Sequence, residues 1–262
     1  MRNAEDAGDG ALRVRIRARL SYDGTDFSGW ADQPGRRTVQ GEVQRALTVA
    51  LRHPTDVRVV CAGRTDAGVH ALDQHIHADI QHRTWERGTA DRALRRINGL
   101  LPEDVRMLTL AEAPADFDAR FSVASRRYCY RVADGREVDP LQRRFVVGWP
   151  QQLDLDSMNS AAAQLVGEND FAAFCRHRPE ASTVRTLLHL HWHRAPDGVA
   201  TMSIAADAFC HSMVRALAGA LLPVGSGRRS TDWPAAVLAA GRRIPEVVVM
   251  PARGLVLEQV RY

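Results

Sequence analysis

Lysine is absent from this 262-residue chain; all 35 of its basic residues are arginine. That absence removes Schiff-base catalysis, attachment of pyridoxal phosphate, and the lysine of a nucleotide-binding phosphate loop. Cysteine is scarce too. Cys61, Cys129, Cys175 and Cys210 are scattered without paired spacing, which argues against a zinc knuckle and a secreted disulfide framework. A cytoplasmic location is therefore expected. No run of about 18 apolar residues occurs, so no transmembrane helix and no membrane partner are expected. Residues 1–11 are small, acidic and glycine-bearing, without the apolar segment of a signal peptide, and read as a disordered tail.

What is present is an ordinary globular composition, 45% apolar, with a formal charge of +4 that suits a polyanionic partner. Val14, Ile16, Ala18 and Leu20 alternate with Arg13, Arg15, Arg17 and Arg19, the period of a half-buried strand with a basic face. Thr38 is placed to cap a helix whose stripe is Val39, Val43, Leu47, Ala50 and Leu51. Strands over 57–62 and 74–80, a helix over 90–100 and a strand over 105–110 follow. This βαββαβ order is that of the ferredoxin-like fold. Strands over 126–133, 186–193, 200–205 and 255–260, with helices over 155–166 and 209–222, repeat it, and a short helix over 233–240 delays the last strand. The expected fold class is α+β, with two tandem ferredoxin-like (βαββαβ) domains over 12–113 and 114–262 and a cleft between their antiparallel sheets.

Several functions built on such elements lack their residues. Paired RNA-recognition modules require aromatic rings on a third strand, and residues 74–80 have none. His75, His77 and Asp79 resemble the start of a metallo-hydrolase pattern, and His189, His191 and His193 alternate similarly. The next histidine of that pattern is missing at Ile80, and histidines on a solvated strand face are read simply as polar residues, so no metal is expected. Gly63 and Gly68 have the spacing of a phosphate loop, but Val69 and His70 replace its lysine and hydroxyl, so no nucleotide cofactor is expected.

The same segment holds the chain's least structural-looking acid. Asp66 lies between Gly63 and Gly68, with Arg64 two residues upstream; the glycines are expected to permit positive φ in a sharp loop. A carboxylate can attack carbon if it stays ionised; burial opposes ionisation and a neighbouring guanidinium favours it, with Arg64 the local candidate. A loop aspartate bonding its own amides, with Arg64 in solvent, fits the spacing equally well.

The block Gly63-Arg64-Thr65-Asp66-Ala67-Gly68-Val69-His70-Ala71 resembles the signature of the TruA family of tRNA pseudouridine synthases. Further blocks are similar to that family from Leu20 to Tyr262. They are Tyr22 through Trp30 (YDGTDFSGW), Thr38 through Glu42 (TVQGE), Asp118 through Ser122 (DARFS), and Arg126-Arg127-Tyr128-Cys129-Tyr130. Gly167 through Phe171 (GENDF), Phe209 through Arg215 (FCHSMVR) and Gly254 through Leu257 (GLVL) continue the likeness. Ala31 departs from the family's usual glutamine, and Cys129 from its basic residue.

The resemblance implies that Asp66 is the nucleophile and Tyr128 the ring stacked on an extruded uracil, with no cofactor. It also implies that Arg64 and Arg215 lie near the carboxylate and the RNA backbone, and that Leu255 walls the pocket. Arg126 and Arg127 are placed to bind RNA phosphates. The implied reaction turns uridine into pseudouridine in the tRNA anticodon arm, at about positions 38, 39 and 40, with attack at either C6 of the base or C1′ of the ribose. The implied partners are tRNA, in a salt-sensitive complex, and a second copy of the chain in a homodimer. His211 receives no role from sequence.

Overall fold

Arginine and apolar side chains part to opposite faces along β1 (Arg13–Tyr22), sending Ile16, Ala18 and Leu20 into the core. The computed structural model describes residues 13–85, 90–176 and 181–262; the tail expected over 1–11 lies outside them. Thr38 caps α1 (Val39–Leu51), its hydroxyl accepting the Gly41 amide proton, and the anticipated stripe is buried. The expected strand over 57–62 shrinks to β2 (Val60–Cys61). The Val57 and Val59 amides donate instead to the Thr48 hydroxyl and the Gln44 carbonyl on α1, which removes them from the ladder. The half is completed by β3 (His70–Gln81), α2 (His82–Trp85), α3 (Ala90–Leu100) and β4 (Val105–Glu112).

The second half contains β5 (Ser125–Asp134), β6 (Val147–Trp149), α4 (Leu155–Ala163), β7 (Gly167–Asp170), β8 (Val184–Arg194) and β9 (Ala200–Ala206). It ends with α5 (Met213–Gly225), α6 (Trp233–Ala239) and β10 (Leu255–Arg261). β6 and β7 were not anticipated. α5 begins four residues later than expected because Ser212 takes a left-handed conformation, φ 66°.

All strands belong to one mostly antiparallel sheet, ordered β4-β1-β3-β10-β5-β9-β8-β7, with β2 on β3 and β6 on β5. The expectation of two sheets separated by a cleft is corrected here. The last strand, β10, pairs antiparallel with β5 and also parallel with β3, at Val256↔His70 and Leu257↔Ala71, fusing the halves. That union leaves neither half with an open edge at the junction. One apolar core runs through both halves. The seam lies immediately after the loop that carries Asp66, so the loop sits where the halves meet.

Candidate active site

The loop of residues 62–69 is fixed from beneath by residues far away in sequence. Fully buried Gln74 donates from Nε2 to the Gly63 carbonyl (2.6 Å) and accepts the Gly63 amide proton (3.4 Å). The Tyr22 hydroxyl bonds the Thr65 hydroxyl at 2.8 Å, and the Trp30 amide donates to the Thr65 carbonyl at 3.0 Å. Gly24 lies so close to the loop that a Cβ there would stand 1.9 Å from the Val69 carbonyl oxygen. Its amide donates to His70 Nδ1, while His70 Nε2 reaches the Arg253 carbonyl across the seam. Gly68 has the expected positive φ, 78°; Gly63 does not, and a Cβ there would make only ordinary contacts.

Held in this way, Asp66 faces a cavity of about 450 Å³ with its side chain 26% exposed. Its Oδ2 accepts a hydrogen bond from Arg215 Nη1 at 3.2 Å, and its Oδ1 lies 3.2 Å from His211 Nε2. Arg215 is itself anchored, its Nε donating to the Met250 carbonyl at 2.6 Å. His211 lies two residues before α5 and Arg215 in its first turn, so the two partners flank the start of that helix. Arg64 lines the cavity but makes no hydrogen bond or ion pair among the described residues. The guanidinium on Asp66 is thus the distant Arg215, not the local candidate.

Tyr128 on β5 forms one wall, packed edge-to-face on Phe209 at 5.2 Å, and Leu255 at the start of β10 forms another. Burial pushes the Tyr128 phenol well above its ordinary value and the Cys61 thiol up to about 12, so both stay protonated. Arg126 also lines the cavity, but its donors are engaged by main chain. Nε and Nη2 bond the Ala62 carbonyl at 2.9 and 2.5 Å, Nη1 bonds that of Asp207, and Nη2 also reaches that of Arg120. Arg127, next along the strand, is not among the lining residues; it pairs with Glu258 at 3.5 Å.

Sequence reasoning missed His211, Gln74 and the seat formed by Tyr22, Gly24 and Trp30. The relevant blocks were visible, but no local spacing links them to Asp66. It also saw no pairing among the cysteines, whereas Cys175 and Cys210 form a disulfide across 35 residues, with Cα atoms 5.7 Å apart. His77, expected on a solvated face, is buried and accepts the Ala119 amide proton at 2.9 Å, while His75 bonds Asp73.

The arrangement presents an oriented carboxylate, flanked by a cation, to a cavity with an aromatic wall. That is suited to stacking a flat ring within reach of a nucleophilic oxygen. Comparison with known proteins agrees in kind. A family model described as tRNA pseudouridine synthase matches residues 18–122 and 161–262. The chain is similar to tRNA pseudouridine synthase A of Frankia casuarinae, 56% identical over 250 residues that cover 95% of this chain and 89% of that protein. The corresponding protein of Streptomyces griseus subsp. griseus is 54% identical over 251 residues, covering 95% and 88%. Among solved structures, a Cbf5-Nop10-Gar1 complex matches at TM-score 0.33 and 10% identity, over 79% of this chain and 54% of that one, too loosely to bear on function.

Proposed function

Because the chain belongs to the tRNA pseudouridine synthase family, we propose that it acts on uridines of the tRNA anticodon arm with Asp66 as nucleophile. The enzyme is an isomerase that converts uridine to pseudouridine in tRNA. The observation that carries the finer reading is the carboxylate of Asp66, held by Arg215 and facing the cavity beside Tyr128. Target uridines are those at about positions 38–40, each extruded from its stack into the cavity. One oxygen of Asp66 bonds to C6 of the base or C1′ of the ribose. The bond from C1′ to N1 breaks, the uracil turns, and a bond from C1′ to C5 forms. The C5 proton then leaves to solvent, N1 takes up a proton in its place, and the carboxylate is released.

Tyr128 supplies the flat surface for the base, Leu255 closes the apolar side, and Arg64, with its donors uncommitted, takes a phosphate or a uracil carbonyl. The strand orders β4-β1-β3-β2 and β10-β5-β9-β8 support reading the halves as two βαββαβ units. We take the functional form to be a cytoplasmic homodimer.

The deciding experiment supplies tRNA tritiated at C5 of uracil. The native enzyme releases tritium, and Asp66→Ala lowers the rate by about 10³-fold or more while still binding tRNA. Equal turnover by Asp66→Ala would remove the carboxylate from the mechanism.

A further inference from the structure

A carboxylate held at one oxygen only still rotates about its terminal bond, whose torsional wells are broad. Arg215 makes one hydrogen bond to Asp66, at Oδ2, and its Nε is committed to Met250. The other oxygen faces His211 Nε2 at 3.2 Å. On the opposite side of that ring, Nδ1 is buried and finds no hydrogen-bond partner among the described residues. A proton on Nδ1 would therefore be buried without an acceptor, which places the neutral ring's proton on Nε2, directed at Asp66.

The main chain around His211 is also constrained. Its carbonyl accepts the Arg176 amide proton at 3.0 Å, and its neighbour Cys210 is bonded to Cys175. Ser212, next in sequence, holds φ 66°, which residues other than glycine avoid and which persists only where the surroundings enforce it. That one left-handed residue turns the chain so that His211 and Arg215, on either side of the helix start, converge on the same carboxylate.

We propose that His211 is a positioning residue, which fixes Oδ1 of Asp66 while Arg215 fixes Oδ2, so that the carboxylate plane is set before the uridine arrives. This rests on the reading of Asp66 as nucleophile. A carboxylate has about four lone-pair sites, so two donors leave each oxygen one with which to attack. At 3.2 Å, Nε2 stands within reach of Oδ1, and such contacts commonly tighten when substrate is bound.

The test compares His211→Ala, His211→Gln and His211→Asn by single-turnover tritium release, tRNA binding and thermal melting. Glutamine carries an amide N–H to the place of Nε2, whereas asparagine carries it only to that of Nδ1. Loss of the donor lowers the single-turnover rate of His211→Ala and His211→Asn by about 10- to 100-fold, with tRNA affinity within about 3-fold of native. His211→Gln recovers to within about 5-fold of the native rate. Native rates in His211→Ala, or equal losses in the glutamine and asparagine variants, overturn the proposal. Should the alanine variant fail to fold, the glutamine–asparagine difference still decides. Asp66→Ala, run alongside, separates the two levels: if it stays active, the reading of the site has failed and not merely this role for His211.

Discussion

Arg126 spends its guanidinium on the backbone of three separate segments, at Ala62, Arg120 and Asp207. Burial lowers its pKa, and no carboxylate is paired with it among the described residues. Such a residue acts as a fastener: it joins the start of the aspartate loop to β5 and to the segment entering the second half. Arg126→Met keeps the stem but strands the buried Ala62 carbonyl, while those of Arg120 and Asp207 are exposed and turn to water, so stability measured by urea unfolding should fall by about 1–3 kcal/mol. Arg126→Lys should fall nearly as far, because an ammonium cannot span the fork. If the lysine variant is as stable as native and loses only tRNA affinity, Arg126 is a phosphate contact instead. Sequence could not separate these roles. Two adjacent arginines on a strand look alike, yet the pleat sends Arg126 to the cavity side and Arg127 to Glu258, and carbonyl acceptors leave no trace in side-chain identity. Asp66, which does line the cavity, stood out through the resemblance of its block; its spacing alone fits a loop acid bonding its own amides equally well.

The element that matters most is the loop together with its seat, and the two are read from different parts of the chain. Residues 22–30 and 63–71 both stood out as blocks, while their mutual contact did not. Gly24→Ala tests the seat directly, since its Cβ would fall 1.9 Å from the Val69 carbonyl, which is backbone and cannot rotate away. The loop must shift by about 1 Å or more, and tritium release should drop about 10²-fold. Gly99→Ala in α3 is the control. Its Cβ meets nothing within 4 Å, so melting should rise slightly, for about 0.5 kcal/mol, with activity intact. An active Gly24→Ala would show that the loop is not held by this contact. Helices and long strands were placed well by periodicity, as in α1 and β1. The truncated β2 and the β3–β10 junction were not, because one depends on helix side chains taking strand amides and the other pairs only two residues in parallel.

At the scale of the molecule, the segment crossing between the halves is tied to both. His77 accepts the Ala119 amide proton and Arg15 donates to the Phe117 carbonyl from the first half, while the Tyr262 hydroxyl donates to the Ala119 carbonyl from the end of β10. The histidine in this clasp is sensitive to acid. Burial pulls His77 below its ordinary 6.5, and burial likewise lowers His75 and His189. A folded pKa below the unfolded one means that the unfolded chain takes up the proton first. The corresponding stability is complete above about pH 6.5 and is lost as pH falls from there toward the lower folded values, at most about 1.4 kcal/mol per pH unit for each of His77 and His75, with exposed His189 screened by water and adding little. A second decline comes lower. Asp79 sits below its ordinary 3.8 chiefly through its hydrogen bond with Arg15. Burial would raise Asp134, but its bonds with Arg194 and the Leu153 amide outweigh that. Stability from these carboxylates is present above pH 3.8 and disappears as pH drops through their folded values. Denaturant unfolding from pH 8 to 2 should therefore show two descents. His77→Asn keeps an acceptor for the Ala119 amide but cannot titrate, so it should make the upper descent shallower, leaving the part due to His75 and His189, and leave the lower one unchanged. An unaltered upper descent in that variant would place the acid sensitivity elsewhere than at the crossing between the halves.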